Sequence, residues 1–298
     1  MEPSFGAAPT VKLVISMIKK AVQQIMLGTV TRSETEAGDT LAAIKLAGYD
    51  AIELCGFMIR PTSFFVRALT KAAGMPVGKG GAFNWKELLR ESGLGVTSVH
   101  EDLGTIKADP DKVIAEANGF GTKYVVITGM YNFDYSDESA LGELCRDLNE
   151  YGGILAKSGV SLLYHNHNCE LRRTGNGTAY EYIMSHTDPE KVNFEFDSYW
   201  FTDAGADAGE WMKRLGARMK LWHINDRGIR MIGKGITPIL KADSMELGCG
   251  NMPLDRLTAE AKNCGIDAVS LESHKNWVDG SPIKSLQLSS AYLNSNFR

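Results

Sequence analysis

Eight short runs rich in β-branched and apolar residues recur along the chain, separated by amphipathic stretches, and this alternation limits the fold more than any other feature. The runs are QIMLGTV, AIELC, VTSVH, KYVVIT, VSLLYHNH, VNFEFD, MKLWHIND and AVSLES. Between them lie DTLAAIKLAGY, SFFVRALTKAAG, DPDKVIAEANGFG, ALGELCRDLNEYGGILAKSG, GTAYEYIMSHT, AGEWMKRLGAR and NMPLDRLTAEAKNCG. Their apolar residues recur at three and four, so each has one core-facing stripe. Several close on glycine (Gly48, Gly74, Gly159, Gly265), which suits a left-handed C-cap. Strands alternating with helices pair in parallel, because parallel neighbours need a crossover. Eight such units close as a (β/α)8 TIM barrel, a single-domain α/β fold. A doubly wound open sheet would carry a Gly-rich phosphate loop after its first strand. Here that place reads GTVTRSE, with neither GxGxxG nor a P-loop.

Two stretches depart from the repeat. Residues 1–23 precede the first run and read as an N-terminal extension, an extra helix packing on the barrel floor, which leaves 24–298 as the barrel. Residues 228–247 follow the seventh run and read as an extended βα loop, on the face where barrel enzymes build substrate contacts. The 32 basic and 36 acidic side chains give a net charge of −4, so nothing draws the chain in bulk to nucleic acid or anionic lipid. Five widely spaced cysteines without a CxxC pair read as reduced thiols, and Lys19 and Lys20 interrupt the only apolar N-terminal candidate for a membrane span. A cytoplasmic chain is expected.

In a barrel, chemistry sits at the C-terminal ends of strands. The second run ends in Glu53, the third in His100 followed by Glu101 and Asp102, and the fifth in His165-Asn166-His167 with Glu170 beyond. The sixth ends in Asp197, the seventh in His223 with Asn225 and Asp226, and the eighth in Glu272 with His274. A mixed imidazole and carboxylate set suits Mn²⁺, Fe²⁺, Co²⁺ or Zn²⁺. Burying Asp197, His223 and Glu272 together would be costly unless a cation held them. Plainer roles exist for the same residues: Asp197 as an N-cap, Glu272 paired with Lys275, His186 as a helix-end residue, Trp222 as core.

At these residues the chain is similar to a known family. LLYHNHNCEL, FEFDSYW, LWHINDRG, ELGCGNMPLDRL and AVSLESH resemble the sugar phosphate isomerase/epimerase family of xylose isomerase-like barrels, over roughly residues 24–298. That superfamily also holds inosose dehydratases, keto-hexose 3-epimerases and type IV AP endonucleases. The resemblance implies one divalent metal ion, manganese first, with cobalt, iron, zinc or magnesium as alternatives. It places Asp197, His223 and Glu272 at three ligand positions. The remaining position, a glutamate in the epimerases and endonucleases, falls on His165, and His167 points the same way two residues on. Cys249, in GCGN, stands where the family pattern carries a glutamate.

The expected activity is a metal-dependent isomerase or epimerase acting on a sugar or keto sugar through an enediolate. Glu272 or His165/His167 is the base, and Glu53, His100, Glu170, Asn225 and Trp200 hold the substrate. The alternative is a lyase, inosose dehydratase-like or acting on 3-keto C-glycosides by β-elimination. An AP endonuclease would need further histidine ligands, and Trp200 stands where its pattern has one. A sugar-binding subunit without activity is the remaining reading. The expected partner is a small carbohydrate, with no nucleic acid or membrane; a homo-oligomer or partner subunit is compatible with the sequence.

Overall fold

A computed structural model describes residues 17–61, 68, 81, 83–230 and 237–297. Eight parallel strands close into a barrel: β1 Lys19–Gln23, β2 Ala51–Cys55, β3 Gly95–Glu101, β4 Tyr124–Thr128, β5 Ser161–His165, β6 Val192–Asp197, β7 Met219–Ile224 and β8 Ala268–Leu271. The cylinder closes where β1 pairs with β8, Lys19 opposite Ala268 and Val22 opposite Leu271. The outer helices are α1 Glu34–Leu46, α2 Trp85–Ser92, α3 Pro110–Gly119, α4 Glu138–Ala156, α5 Ala179–His186, α6 Ala208–Leu215, α7 Leu254–Cys264 and α8 Pro282–Asn296. The expected TIM barrel is therefore present. The expected helical stretch SFFVRALTKAAG, with Gly74, lies outside the described residues except for residue 68, and residues 1–16 of the proposed extension lie outside them too.

The barrel begins earlier than the sequence suggested. QIMLGTV is not the first strand; KKAVQ is, and Gln24–Leu27 form a buried 3₁₀ turn above it. Lysines look wrong for a barrel strand, but these two sit at the floor. The Lys20 backbone N–H donates to the Asp50 side chain at 3.0 Å and its ammonium lies 3.8 Å from the same group. The charged heads reach water while the stems pack. Lys19–Gln23 thus belong to the barrel rather than to the extension. After β7, Asp226–Gly228 and Asp243–Met245 form a two-stranded antiparallel ribbon; residues 231–236 of the expected long loop lie outside the described residues.

Strand alternation decides what enters the barrel. In β6, Phe194 and Phe196 are fully buried on the outer face, Phe194 edge-to-face with Tyr180 and Phe196 tilted against it, and the Tyr180 ring also meets Phe201 and Trp211. Each such buried ring contributes about 1.5–3 kcal/mol. A slip of one residue would exchange the phenylalanines for Glu195 and Asp197, so the aromatic cluster fixes which way the acids point. The barrel floor is filled by a separate small cluster of Tyr124, Val126, Leu163, Leu221 and Ala268. Two residues further along the same strand faces stand His165, His223 and Ser270. The interior is therefore apolar below and polar above.

Candidate metal centre

Four side chains from four consecutive strand ends meet in the upper barrel. His165, Asp197, His223 and Glu272 each offer one donor atom, and these atoms all lie within 4.8 Å of one another. All four residues are buried. His223 Nδ1 is 2.9 Å from Glu272 Oε2 and 4.0 Å from Asp197 Oδ2. The other oxygen of Asp197 accepts from the backbone N–H groups of Tyr199 and Trp200, at 2.7 and 3.1 Å, capping the helix Ser198–Asp203. The N-cap and ligand readings of Asp197 are thus compatible, one on each oxygen.

Asn166 fixes the spacing between two of these residues. Its Nδ2 donates to the Asp197 carbonyl and its Oδ1 accepts from the Asp197 N–H, both at 3.0 Å. The side chain extends the ladder between β5 and β6 by one rung. The central residue of His-Asn-His is thus a clamp, a role the sequence reading had not given it.

Of the predicted substrate residues, Trp200 stands apart from Glu53, Glu170 and Asn225, and His100 lies in a deeper buried group. His167, Trp200 and His274 form an aromatic wall beside the quartet: the His167 and Trp200 ring centroids are 5.8 Å apart, and those of Trp200 and His274 5.9 Å. Glu53, Glu170 and Asn225 are turned inward. Glu170 accepts from the Tyr164 hydroxyl and the His167 N–H, both at 2.9 Å. Asn225 donates to Ser244 and accepts from the Asp226 N–H, which ties it to the ribbon after β7. Asp226 is an anchor as well: its carboxylate accepts from the N–H groups of Arg227, Gly248, Gly250 and Met252. The ELGCGNM loop, Cys249 included, is folded around it.

Below the quartet lies a second buried group, Glu53, His100, Glu195 and His223. Glu195 was missed because it stands inside an apolar run; its signal was the two-residue spacing from Asp197. His100 Nε2 is 3.1 Å from Glu53 Oε1 and 2.9 Å from Glu195 Oε2. Ser98 Oγ donates to Glu53, and His223 Nε2 contacts Glu53 closely.

His100, His165, His167, His223, Glu195, Asp197 and Glu272 titrate away from their usual ranges. Burial opposes charge on every one of them. Against that, Glu195 and Glu53 lift His223 well above, and Glu53 and Glu195 lift His100 to about 10. Despite its own burial, Glu195 is held well below the carboxylate range by His223 and His100, and Glu272 likewise by His274 and His223. Burial, with the Glu272 charge, pushes Asp197 well above its ordinary value. Burial lowers His165, and lowers His167 to about 4, so both are neutral imidazoles near neutral pH.

A cation fits this donor set. Among the described residues, Glu53, Glu195, Asp197 and Glu272 pair only with histidines, never with Lys or Arg. The His165 Nδ1 atom is buried without a hydrogen-bond partner. Buried charge without a basic partner is costly, and two imidazoles with two carboxylates suit a borderline divalent ion.

The profile of the xylose isomerase-like TIM barrel family matches residues 41–294. The inosose dehydratase of Mesomycoplasma hyopneumoniae is 33% identical over 92 residues, which is 31% of this chain and 30% of that protein's length. The crystal structure of a sugar phosphate isomerase/epimerase from Parabacteroides distasonis superposes with a TM-score of 0.73 at 22% identity, covering 99% of this chain and 98% of the other. A crystal structure of IolI protein with a bound zinc atom gives 0.64 at 16% identity, covering 93% and 97%. At these identities the two structures speak for the fold.

Proposed function

The chain belongs to the xylose isomerase-like TIM barrel family, and from that premise we propose that it is a divalent-metal-dependent isomerase or epimerase of a sugar or keto sugar. The buried quartet His165, Asp197, His223 and Glu272 carries this reading. These four would hold the ion, with manganese the first choice. The bound ion supplies Lewis acidity, polarising a carbonyl and offsetting the charge that develops on its oxygen.

The chain's own residues do the rest. Glu272 is held in its charged form by His274 and His223 against the effect of burial, so it takes the proton α to the carbonyl at a carboxylate oxygen. His167, neutral because it is buried, is the second proton-transfer group. Trp200 packs a sugar face from the side of the aromatic wall. Return of the proton to the same carbon from the other face gives an epimer; its return to the neighbouring carbon gives an isomer.

Partial similarity to an inosose dehydratase favours a second reading, in which the same enolate expels a β-leaving group. Incubation of the metal-loaded chain with ketoses and 3-keto glycosides in D₂O separates the two. Isomerisation leaves the molecular formula unchanged apart from a solvent deuterium; elimination yields a product lighter by water or an aglycone. Glu272→Gln lowers turnover by about 10²–10⁴-fold in either case. A metal-loaded chain that neither exchanges deuterium into any of these substrates nor yields a lighter product contradicts both readings.

A further inference from the structure

The deeper group raises a question the quartet leaves open. His100 Nε2, His165 Nδ1 and His223 Nε2 approach Glu195 Oε2 at 2.9, 3.2 and 3.2 Å. Yet His100 Nε2, His165 Nδ1 and both Glu195 oxygens lack a partner with hydrogen-bond geometry, and all of them are buried. Glu53 and Glu195 are completely enclosed and His100 nearly so. Polar atoms this deep normally find partners, and close approach without the angles of hydrogen bonds is how donors converge on an ion.

Charge points the same way. The four carboxylates of the two groups carry four negative charges when ionised, none beside a Lys or Arg among the described residues. One divalent ion offsets half of that and two offset all of it. The rings of His100 and His223 stack at 5.5 Å, and His223 stands between the groups, with Nδ1 toward Glu272 and Nε2 toward Glu53 and Glu195.

We propose that the chain binds a second divalent cation beneath the quartet, held by Glu53, His100 and Glu195, with His223 as the shared wall between two adjacent ions. This rests on the proposed reading of the quartet as the first metal site. The deep ion takes a carboxylate oxygen from each glutamate and Nε2 from His100. His223 then serves the upper ion through Nδ1 and keeps its proton on Nε2 for the glutamates, so it need not become an imidazolate. Enclosed on all sides, the deep ion does not touch substrate. It neutralises the floor of the site and holds His223 in place. Glu53 and His100, expected from sequence to contact sugar hydroxyls, are its ligands instead.

Metal counting tests this. The full chain is stripped with a chelator, dialysed against Mn²⁺ or Zn²⁺, and analysed by elemental mass spectrometry and calorimetric titration. Circular dichroism confirms folding of every variant. Two ions per chain are expected. Glu195→Gln and, independently, His100→Asn should each leave one, Asp197→Asn should also leave one, and Glu195→Gln with Asp197→Asn should leave none. Manganese-loaded wild type should show a spin-coupled electron paramagnetic resonance spectrum that Glu195→Gln converts to that of an isolated ion. One ion in the wild type, lost in Asp197→Asn and untouched in Glu195→Gln and His100→Asn, overturns the deep site and leaves the quartet standing. One ion lost in Glu195→Gln but retained in Asp197→Asn overturns the two-ion proposal and the quartet reading together.

Discussion

Asp197 Oδ1 accepts from two backbone N–H groups at the start of a helix while Oδ2 faces His223, so a single carboxylate serves local structure and the site at once. The two roles separate by substitution. Asp197→Asn keeps an oxygen for the cap and removes the charge; Asp197→Ala removes both. Metal affinity should fall by at least tenfold in each, read by calorimetry. Only Asp197→Ala should lose about 1 kcal/mol of unfolding free energy in the metal-free chain, read by urea titration. Equal stability of the two variants would remove the cap from the account. At this scale the sequence was informative about residue type and silent about direction. Asp197, His223 and Glu272 were legible as strand-end polar residues. That Asp226 gathers the N–H groups of Gly248, Gly250 and Met252 depends on contacts with residues remote in sequence, and that Glu170 turns back toward Tyr164 depends on how the chain folds after β5. Gly250 shows the same limit: a Cβ there would lie 2.4 Å from Asp226 Oδ1, a closeness no local pattern announces.

Among the elements, β5 and β6 matter most, since they carry His165, Glu195 and Asp197. Their ends are joined by backbone pairing and then by the Asn166 side chain, which makes both hydrogen bonds of a missing rung. Asn166→Ala leaves the Asp197 N–H and C=O buried without these partners. The expected cost is about 2 kcal/mol in chemical unfolding. Because Asp197 then loses its lateral support, metal affinity should drop although no ligand is changed. Full affinity in a destabilised Asn166→Ala would show that the clamp serves the fold alone. The strands themselves were readable because parallel strands buried on both faces are near-continuous apolar runs. β1 was misplaced for the converse reason: at the barrel floor a strand can begin with lysines whose heads reach solvent, and the apolar residues beyond it close a 3₁₀ turn. Glu195 was hidden by the same rule, as an acid flanked by two phenylalanines inside the apolar run VNFEFD.

Across the whole molecule, the barrel gathers acids and imidazoles contributed from Glu53 to Glu272 into one enclosed volume. An unfolded chain keeps these groups apart and hydrated, so an ion that binds the folded form stabilises it by mass action, about 2.7 kcal/mol at a hundredfold excess over Kd. For a chain of this length that corresponds to several degrees in melting temperature. Chelation should therefore lower the melting temperature of the wild type. It should do so less in Asp197→Asn, where part of the donor set is gone. The effect should also depend on pH with a definite sign. Histidine ligands bind metal only when deprotonated, and in the metal-free chain the neighbouring glutamates favour the protonated forms of His100 and His223. A bound ion must displace those protons, and the displacement grows easier as pH rises, so the gap between metal-loaded and chelated melting temperatures should widen from mildly acidic to mildly alkaline buffer. Differential scanning calorimetry at matched free-metal concentration measures it. A gap that is absent at every pH would leave four buried carboxylates balanced by imidazolium groups alone, which is the arrangement expected of a barrel that binds sugar without metal chemistry.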